Sequence, residues 1–411
     1  MRLALPLLAA IGSLSAPAAS AAEDKPAGMT FTPYGFVLLN TFVNDGTFNN
    51  KDNANQVAVP TVAQSGGSFL MSARGSRLGF KLGNLDTGWV DAMLSGVFEF
   101  DFRGGHIATN SAGWNNGIMR LRLANLKADW TAPYGNWQLE AGQDYALLLN
   151  ANPTSITYIP DPAMVQSGNL YRRTPQIRAT YSRPMDGFGF ELAVAVLSPT
   201  DADTQGSSGV DYGVGNKSRM PDLEGRVAAS FKSGDAFSGT VGVGYMAGRR
   251  RYYFTDPAGG THQDVDKSLL GVDADLSITR YLQLKGEYYS SSGVEDGYNG
   301  LFPGVFPSNP ASTGATPASL QAVTSDGYWA QAILKPVPAV WVAGAYGSAR
   351  ASKTRIAPGG RYENSQLHAA VIFNAGKNLK FSIEMARTES RYLNATSEKA
   401  EQYSLSTQLA F

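Results

Sequence analysis

Alternation of apolar and polar residues with period two, held through long segments and repeated along the whole chain, constrains this sequence more than any other feature. In Leu379-Lys380-Phe381-Ser382-Ile383-Glu384-Met385 one face is apolar and the other polar. Val272, Ala274, Leu276 and Ile278 oppose Gly271, Asp273, Asp275 and Ser277, and Leu94, Phe98, Phe100 and Phe102 oppose Ser95, Glu99, Asp101 and Arg103. The pattern predicts sixteen strands near 31–43, 68–83, 89–103, 117–131, 135–145, 174–182, 188–197, 222–232, 237–253, 266–278, 281–292, 325–335, 340–350, 362–374, 378–392 and 401–411. A soluble sandwich also alternates, but its strands average about five or six residues. Most segments here reach about ten, the length with which a tilted strand crosses a bilayer.

Composition agrees. Forty-five glycines, 11% aromatics and a mean hydropathy of −0.18 exclude a polytopic helical membrane protein and suit a barrel whose strands are half polar. Lys plus Arg balance Asp plus Glu at 34 each, so nothing suggests a basic face for nucleic acid. The absence of cysteine removes disulfides and thiolate metal sites.

Residues 1–22 read as a cleaved export signal: Arg2, an apolar run from Leu3 to Leu14, and the small-residue site Ala19-Ser20-Ala21. Residues 23–30 are a short lead, and 31–411 form one domain. Its connections alternate between tight turns and longer loops at 44–67, 104–116, 146–173, 198–221, 254–265, 293–324, 351–361 and 393–400. That rhythm predicts an all-β fold, a transmembrane antiparallel β-barrel with turns on the periplasmic side and loops outside. Closure is required because no backbone polar group can face lipid unpaired.

Two segments break the rule. At 117–131 Leu121 and Leu123 share one parity and Leu126, Ala128 and Trp130 the other, which predicts a β-bulge near Ala124. Arg74 shares a parity with Leu78 and faces lipid unless the chain is bulged near Gly75. In the last strand Tyr403, Leu405, Thr407, Leu409 and Phe411 share one face, and the sequence stops on Phe411.

That terminal aromatic resembles the signal by which the barrel-assembly machinery recognises bacterial outer-membrane proteins. The architecture resembles the sixteen-stranded Gram-negative porin superfamily over 31–411. Ser72-Ala73-Arg74-Gly75-Ser76-Arg77-Leu78-Gly79-Phe80-Lys81 and Gly96-Val97-Phe98-Glu99-Phe100-Asp101-Phe102 look like its second and third strands. Arg120-Leu121-Arg122-Leu123, with Gly135-Asn136-Trp137-Gln138-Leu139-Glu140-Ala141-Gly142-Gln143-Asp144, is similar to the DcaP-like porins associated with dicarboxylate uptake. The resemblance implies an outer-membrane location among lipid and lipopolysaccharide, a homotrimer, and passive diffusion of small hydrophilic solutes or ions with some preference for anions. It also implies that the loop at 146–173, between strands 5 and 6, folds inward and narrows the lumen. The strand seam, with Phe36, Leu38 and Phe42 near Leu405 and Leu409, is where such trimers touch.

A porin performs no reaction and needs no cofactor; its chemistry is a barrier profile set by charges around water. With Leu78, Phe80 and Leu82 toward lipid, Arg77 and Lys81 face the lumen, and the same rule turns Arg103, Arg120, Arg122, Arg178 and Arg226 inward. These make a basic wall, with Asp144 and Asp161 as opposing carboxylates and Glu99 and Asp101 interspersed. The rival class is a non-transport barrel, an adhesin or a barrel enzyme. Its signals are thin: His262 and Asp264 share an outer loop, but no His/carboxylate cluster has metal-ligand spacing. Gly242-x-Gly244-x-x-x-Gly248 lies in a strand and lacks the helix of a phosphate loop. Arg249-Arg250-Arg251 reads as a solvated outer rim.

Overall fold

A computed structural model describes residues 28–59, 66–85, 91–105, 117–149, 151–201, 213–234, 237–253, 262–307 and 320–411. The expected export signal at 1–22 lies outside them. The barrel strands are β1 (Thr30–Asn44), β2 (in two pieces, Ser68–Ser72 and Arg77–Leu85), β3 (Met93–Asp101), β4 (Arg120–Ala132), β5 (Gly135–Tyr145), β6 (Arg173–Pro184), β7 (Phe188–Leu197) and β8 (Asp222–Ser233). They continue with β9 (Phe237–Tyr253), β10 (His262–Thr279), β11 (Leu282–Ser292), β12 (Thr324–Val337), β13 (Val340–Ala351), β14 (Arg361–Asn374), β15 (Leu379–Tyr392) and β16 (Glu398–Ala410). Each pairs antiparallel with its neighbour, and β16 returns to β1 in a register running from Phe36↔Ala410 to Asn44↔Gln402. The sheet is a closed sixteen-stranded barrel without free edges.

Its faces are the reverse of a soluble protein's. Phe381 and Ile383 of β15 are exposed while Ser382 and Glu384 are buried inside; Tyr403, Leu405 and Leu409 of β16 are exposed while Ser404 and Ser406 are not. An apolar exterior around a polar interior is stable only in lipid. At the turn end, Trp137 and Tyr181 sit 4.9 Å apart and Tyr181 and Phe190 5.7 Å apart, part of an interfacial aromatic girdle. Phe411 is exposed on the same face, and its backbone exchanges hydrogen bonds with Gly35, tying the chain end to β1.

The structure corrects four local expectations. The strand expected at 68–83 is broken by a turn at 73–76, in which the Ser76 N–H donates to the Ala73 carbonyl. That break turns Arg74 inward, away from lipid, where it is buried. The bulge in β4 falls at Arg122, earlier than Ala124: Glu99 pairs with Leu123 and Phe100 with Leu121, so Arg122 is the extra residue, and both Arg122 and Leu123 turn inward. β10 begins at His262, so His262 and Asp264 belong to a long hairpin rather than a loop. At the seam the parity is opposite to that expected. Val37, Leu39 and Val43 are exposed, whereas Leu38 and Phe42 are fully buried inside.

Candidate functional site

What β1 buries is the inward loop. Residues 146–149 and 151–172 follow β5 and run along the inner wall. Leu147, Leu148 and Leu149 pack against Ala193, Ala195 and Leu197 of β7, Met246 of β9 and Leu269 of β10. Glycine on the wall makes this possible: a Cβ on Gly244 would lie 3.0 Å from Leu148, and one on Gly271 3.1 Å from Leu149. The backbone of the loop is then taken up by wall side chains. Ala151 N–H donates to Glu287 (2.8 Å) and Thr154 N–H to Gln331 (2.7 Å). Glu384 accepts from Ser155 Oγ (2.5 Å), Ile156 N–H (2.8 Å) and Thr157 N–H (3.0 Å), and also from Ser382 Oγ (2.7 Å). His368 Nε2 lies 2.9 Å from the same carboxylate. Ile156 and Ile159 pack on Leu38, and the Pro160 carbonyl accepts from Arg122 (3.1 Å) and Arg120 (3.4 Å).

A second segment folds inward as well. A ribbon of Phe48–Asn50 and Asn53–Val57 lies on β14 and β15, where the Ala54 carbonyl accepts from Gln366 (2.5 Å) and Thr388 (2.7 Å) and Val57 N–H donates to Ser390 (3.0 Å). The sequence offered 44–67 only as one more outer loop. Asp52, in the turn of this ribbon, pairs with Arg74 (2.6 Å) and Arg103 (3.1 Å). Arg103 in turn pairs with Asp161 of the inward loop at 2.7 Å, so one guanidinium clasps both segments.

The basic residues expected at the lumen are not a bare wall facing distant carboxylates. Glu99 stands between Arg77 (3.4 Å) and Arg122 (2.8 Å), and Asp101 between Arg120 (2.6 Å) and Arg122 (2.8 Å). Asp161 also reaches Arg120 (3.3 Å), and Arg226 holds Asp273 (2.6 Å) and Glu191 (3.5 Å). Asp144 accepts from Lys127 at 3.3 Å, and Arg178 approaches Glu140 at 3.6 Å. Lys81 lies over the Tyr34 ring at 4.9 Å. Burial alone would raise the Asp161 carboxyl, but the Arg103 and Arg120 guanidiniums and the Tyr171 hydroxyl hold it far below the usual carboxylate range.

Sequence reasoning missed Arg172 and Arg173 because they follow an irregular loop without parity. Arg172 is buried between Asp222 (2.7 Å) and Glu224 (2.9 Å) under the Tyr298 ring. Arg173 is different. It lies over the rings of Tyr145 (5.6 Å) and Tyr171 (5.9 Å), and among the described residues no carboxylate pairs with it. Arg122 donates to the Tyr145 hydroxyl at 2.8 Å and Arg178 to the Tyr145 carbonyl, so three guanidiniums converge on one tyrosine.

A third segment, 293–307, closes over this region: the Tyr171 N–H donates to the Tyr298 carbonyl (3.1 Å), and Arg250, expected at the solvated rim, is fully buried against Asp201 (2.8 Å) and Asp296. Arg249 and Arg251 keep to the rim, bound to Asp266 and Asp264. Burial pushes the Glu295 carboxyl up to about 7, against hydrogen bonds from Ser325, Tyr289 and the N–H groups of Leu301 and Phe302. Raised from 4.5, it keeps its proton in the docked segment longer than in the released one, so docking weakens as pH rises from about 4.5 through 7. Hydrogen exchange of 293–307, corrected for intrinsic rates, should therefore increase between pH 5 and pH 8, and Glu295→Gln should flatten that dependence.

Among the described residues no group of three or more His, Asp or Glu side chains could hold a metal ion. No protein-family model and no curated protein sequence matches the chain. Solved structures do. The outer-membrane channel DcaP of Acinetobacter baumannii superposes with a TM-score of 0.68 at 18% identity, covering 95% of this chain and 100% of that one. An anion-selective porin from Comamonas acidovorans gives 0.53 at 13% identity, covering 93% and 100%, and OprB of Pseudomonas putida 0.53 at 11%, covering 93% and 94%. The fold is that of the sixteen-stranded porins of Gram-negative outer membranes, and a closed barrel with this apolar exterior resides in such a membrane.

Proposed function

We propose that the barrel is a water-filled diffusion channel for small hydrophilic solutes, with a preference for anions that extends to dicarboxylates. The observation that carries the reading is the convergence of Arg122, Arg173 and Arg178 on Tyr145, with Arg173 in no direct ion pair among the described residues, although it shares the field of Asp161 with Arg103 and Arg120. Elsewhere along the inner wall, charge is largely cancelled by direct ion pairs. Here three guanidiniums, Arg103, Arg120 and Arg173, share the one Asp161 carboxylate of the inward loop, and the excess positive field attracts anions. The likeness to a channel and to an anion-selective porin supports the same direction. We extend the proposal to a homotrimer touching at the seam through Val37, Leu39, Val43, Leu405 and Leu409, all exposed.

Reversal potentials in a KCl gradient across a planar bilayer test this. Two charges about 8 Å apart in water interact by roughly 0.5 kcal/mol before screening. Arg173→Ser should therefore lower the chloride-to-potassium permeability ratio about twofold in dilute salt, and the difference should shrink near 1 M, where the Debye length is about 3 Å. Because Arg173 holds no direct ion pair among the described residues, the barrel should fold normally. An unchanged reversal potential in dilute salt would remove the anion preference, and absence of current from folded protein would remove the channel.

A further inference from the structure

The arginines around Tyr145 and Asp161 stand between the end of β3 and β6. Across the lumen, on β11 to β15, a second set of cations lies below the inward loop, toward the turn end. The inward parity of Gln331 and Ile333 in β12 continues to Lys335, that of Ala343 in β13 reaches back to Trp341, and that of Ser382 and Glu384 in β15 reaches back to Lys380. Lys335 donates to the Gln283 amide oxygen (2.7 Å) and lies 4.9 Å from the centre of the Trp341 ring, and Lys380 lies 5.9 Å from the same ring. Lys285 of β11 reaches Asp275 at 3.3 Å and the Asn152 carbonyl of the inward loop at 3.5 Å, and Gln283 donates to Asp275 at 2.6 Å. Three ammoniums share one indole and one carboxylate. The strands and turns of this wall, within 262–307 and 320–411, are described without a break, and among the described residues no carboxylate pairs directly with Lys335 or Lys380.

The indole holds these cations beside apolar surface. Trp341 is half-buried, and it packs on the cluster of Leu38, Ile333 and Ile372 that Ile156 and Ile159 of the inward loop complete. Ile159 is itself only partly buried there. An ammonium over a ring face is held in place but keeps its charge. It also has three N–H donors; the ring and Gln283 occupy two of those on Lys335 and leave one for a ligand. Apolar surface bordered by ammoniums matches an anion with an apolar body.

We propose that the periplasmic side of the inward loop carries a binding site for a monocarboxylate with an apolar body, its carboxylate held by Lys335 and Lys380 and its body against Trp341 and Ile159. A small inorganic anion gains nothing from the apolar surface, and a neutral solute of the same shape gains nothing from the ammoniums. The site deepens the anion preference and rests on the channel reading only for the route by which the solute arrives.

Isothermal titration of the detergent-solubilised full-length protein with benzoate, acetate and benzamide tests the site. Benzoate should bind. Acetate should bind about tenfold more weakly, because burying about two methylenes already accounts for that factor. Benzamide, which keeps the ring but not the charge, should also fall about tenfold, the scale of one hydrogen bond between charged partners. Lys335→Gln and Lys380→Gln should each weaken benzoate by about the same factor. Lys377→Gln removes a charge from the neighbouring turn, outside the site, and should bind as the parent does. The proposal fails if benzoate does not bind, if acetate or benzamide binds as tightly, if either site variant retains parental affinity, or if Lys377→Gln loses as much as they do. Conductance in KCl separates the two readings. A barrel that binds benzoate but passes no current keeps the site and loses the channel, whereas a conducting barrel that does not bind benzoate keeps the channel and loses the site. Heat-modifiable migration on gels confirms that each variant is folded before it is compared.

Discussion

Arg122→Ala is expected to destabilise the barrel by about 3–5 kcal/mol, the usual consequence of removing one partner from a buried ion-pair network. Arg122 is 1% exposed and satisfies Glu99, Asp101, the Pro160 carbonyl and the Tyr145 hydroxyl together. Without it, Glu99 keeps Arg77 at 3.4 Å and the Tyr34 hydroxyl at 3.0 Å, and Asp101 keeps Arg120 and the Arg103 N–H. The inward loop also loses the shorter of its two tethers at Pro160. Urea unfolding followed in detergent would show the lower midpoint, and single-channel records should become noisier as the loop moves. Arg122→Lys restores charge but not the fork that serves several acceptors, so it should recover only part of the stability. An unshifted midpoint for Arg122→Ala would mean that water replaces the guanidinium without cost.

Glu384→Ala should have an effect of similar size on the adjoining stretch of the same loop, just before Pro160. This carboxylate lies inside β15 and is fully enclosed with His368. It accepts from two side-chain hydroxyls and from the N–H groups of Ile156 and Thr157, so its removal strands several buried donors at about 1–3 kcal/mol each. The loop should detach from the β14–β16 wall while remaining clasped at Arg103 and Arg120. The expected reading is a loss of at least about 3 kcal/mol in unfolding free energy, with several donors orphaned, together with a second conductance level. Glu384→Gln keeps the shape but presents an amide donor to a ring of donors, so it should fall between the parent and Ala. A single unaltered conductance level in the Ala variant would show that the loop holds its position without this anchor.

Both substitutions act on contacts between residues far apart in the chain, and that is why the sequence only half disclosed them. Arg122 was legible as inward-facing, because Leu121 and Arg120 frame its parity, and the change of phase along β4 announced a bulge. Its role as a tether was not legible, since Pro160 lies 38 residues away in a segment with no periodicity. Glu384 stood out only as the polar partner of Ile383 and Met385. Nothing near it in sequence indicated that Ser155, Ile156 and Thr157 would converge on its carboxylate.

The seam shows the limit most clearly. Phe36, Val37, Leu38 and Leu39 are apolar in a row, so alternation cannot say which face meets lipid. The inward loop decides it: Ile156 and Ile159 cover Leu38, making the interior as dry as the exterior at that place. The same happens where Leu147, Leu148 and Leu149 cover Leu197, Met246 and Leu269. Asp52 was invisible for a related reason, because a short ribbon of polar residues looks like any exposed hairpin until its partners on β14 and β15 are known.

By itself the sequence determined the all-β barrel, with sixteen strands as the leading count, and the end from which its longer loops emerge. Those properties follow from a local rule, since each strand must offer lipid one apolar face and satisfy every backbone group through its neighbours. Only the tertiary structure decided which carboxylate neutralises which guanidinium, that two segments besides the 146–172 loop fold inward, and that Arg173 makes no direct ion pair among the described residues. Ion pairs are chosen by distance across the lumen, and no periodicity along the chain records a distance through space.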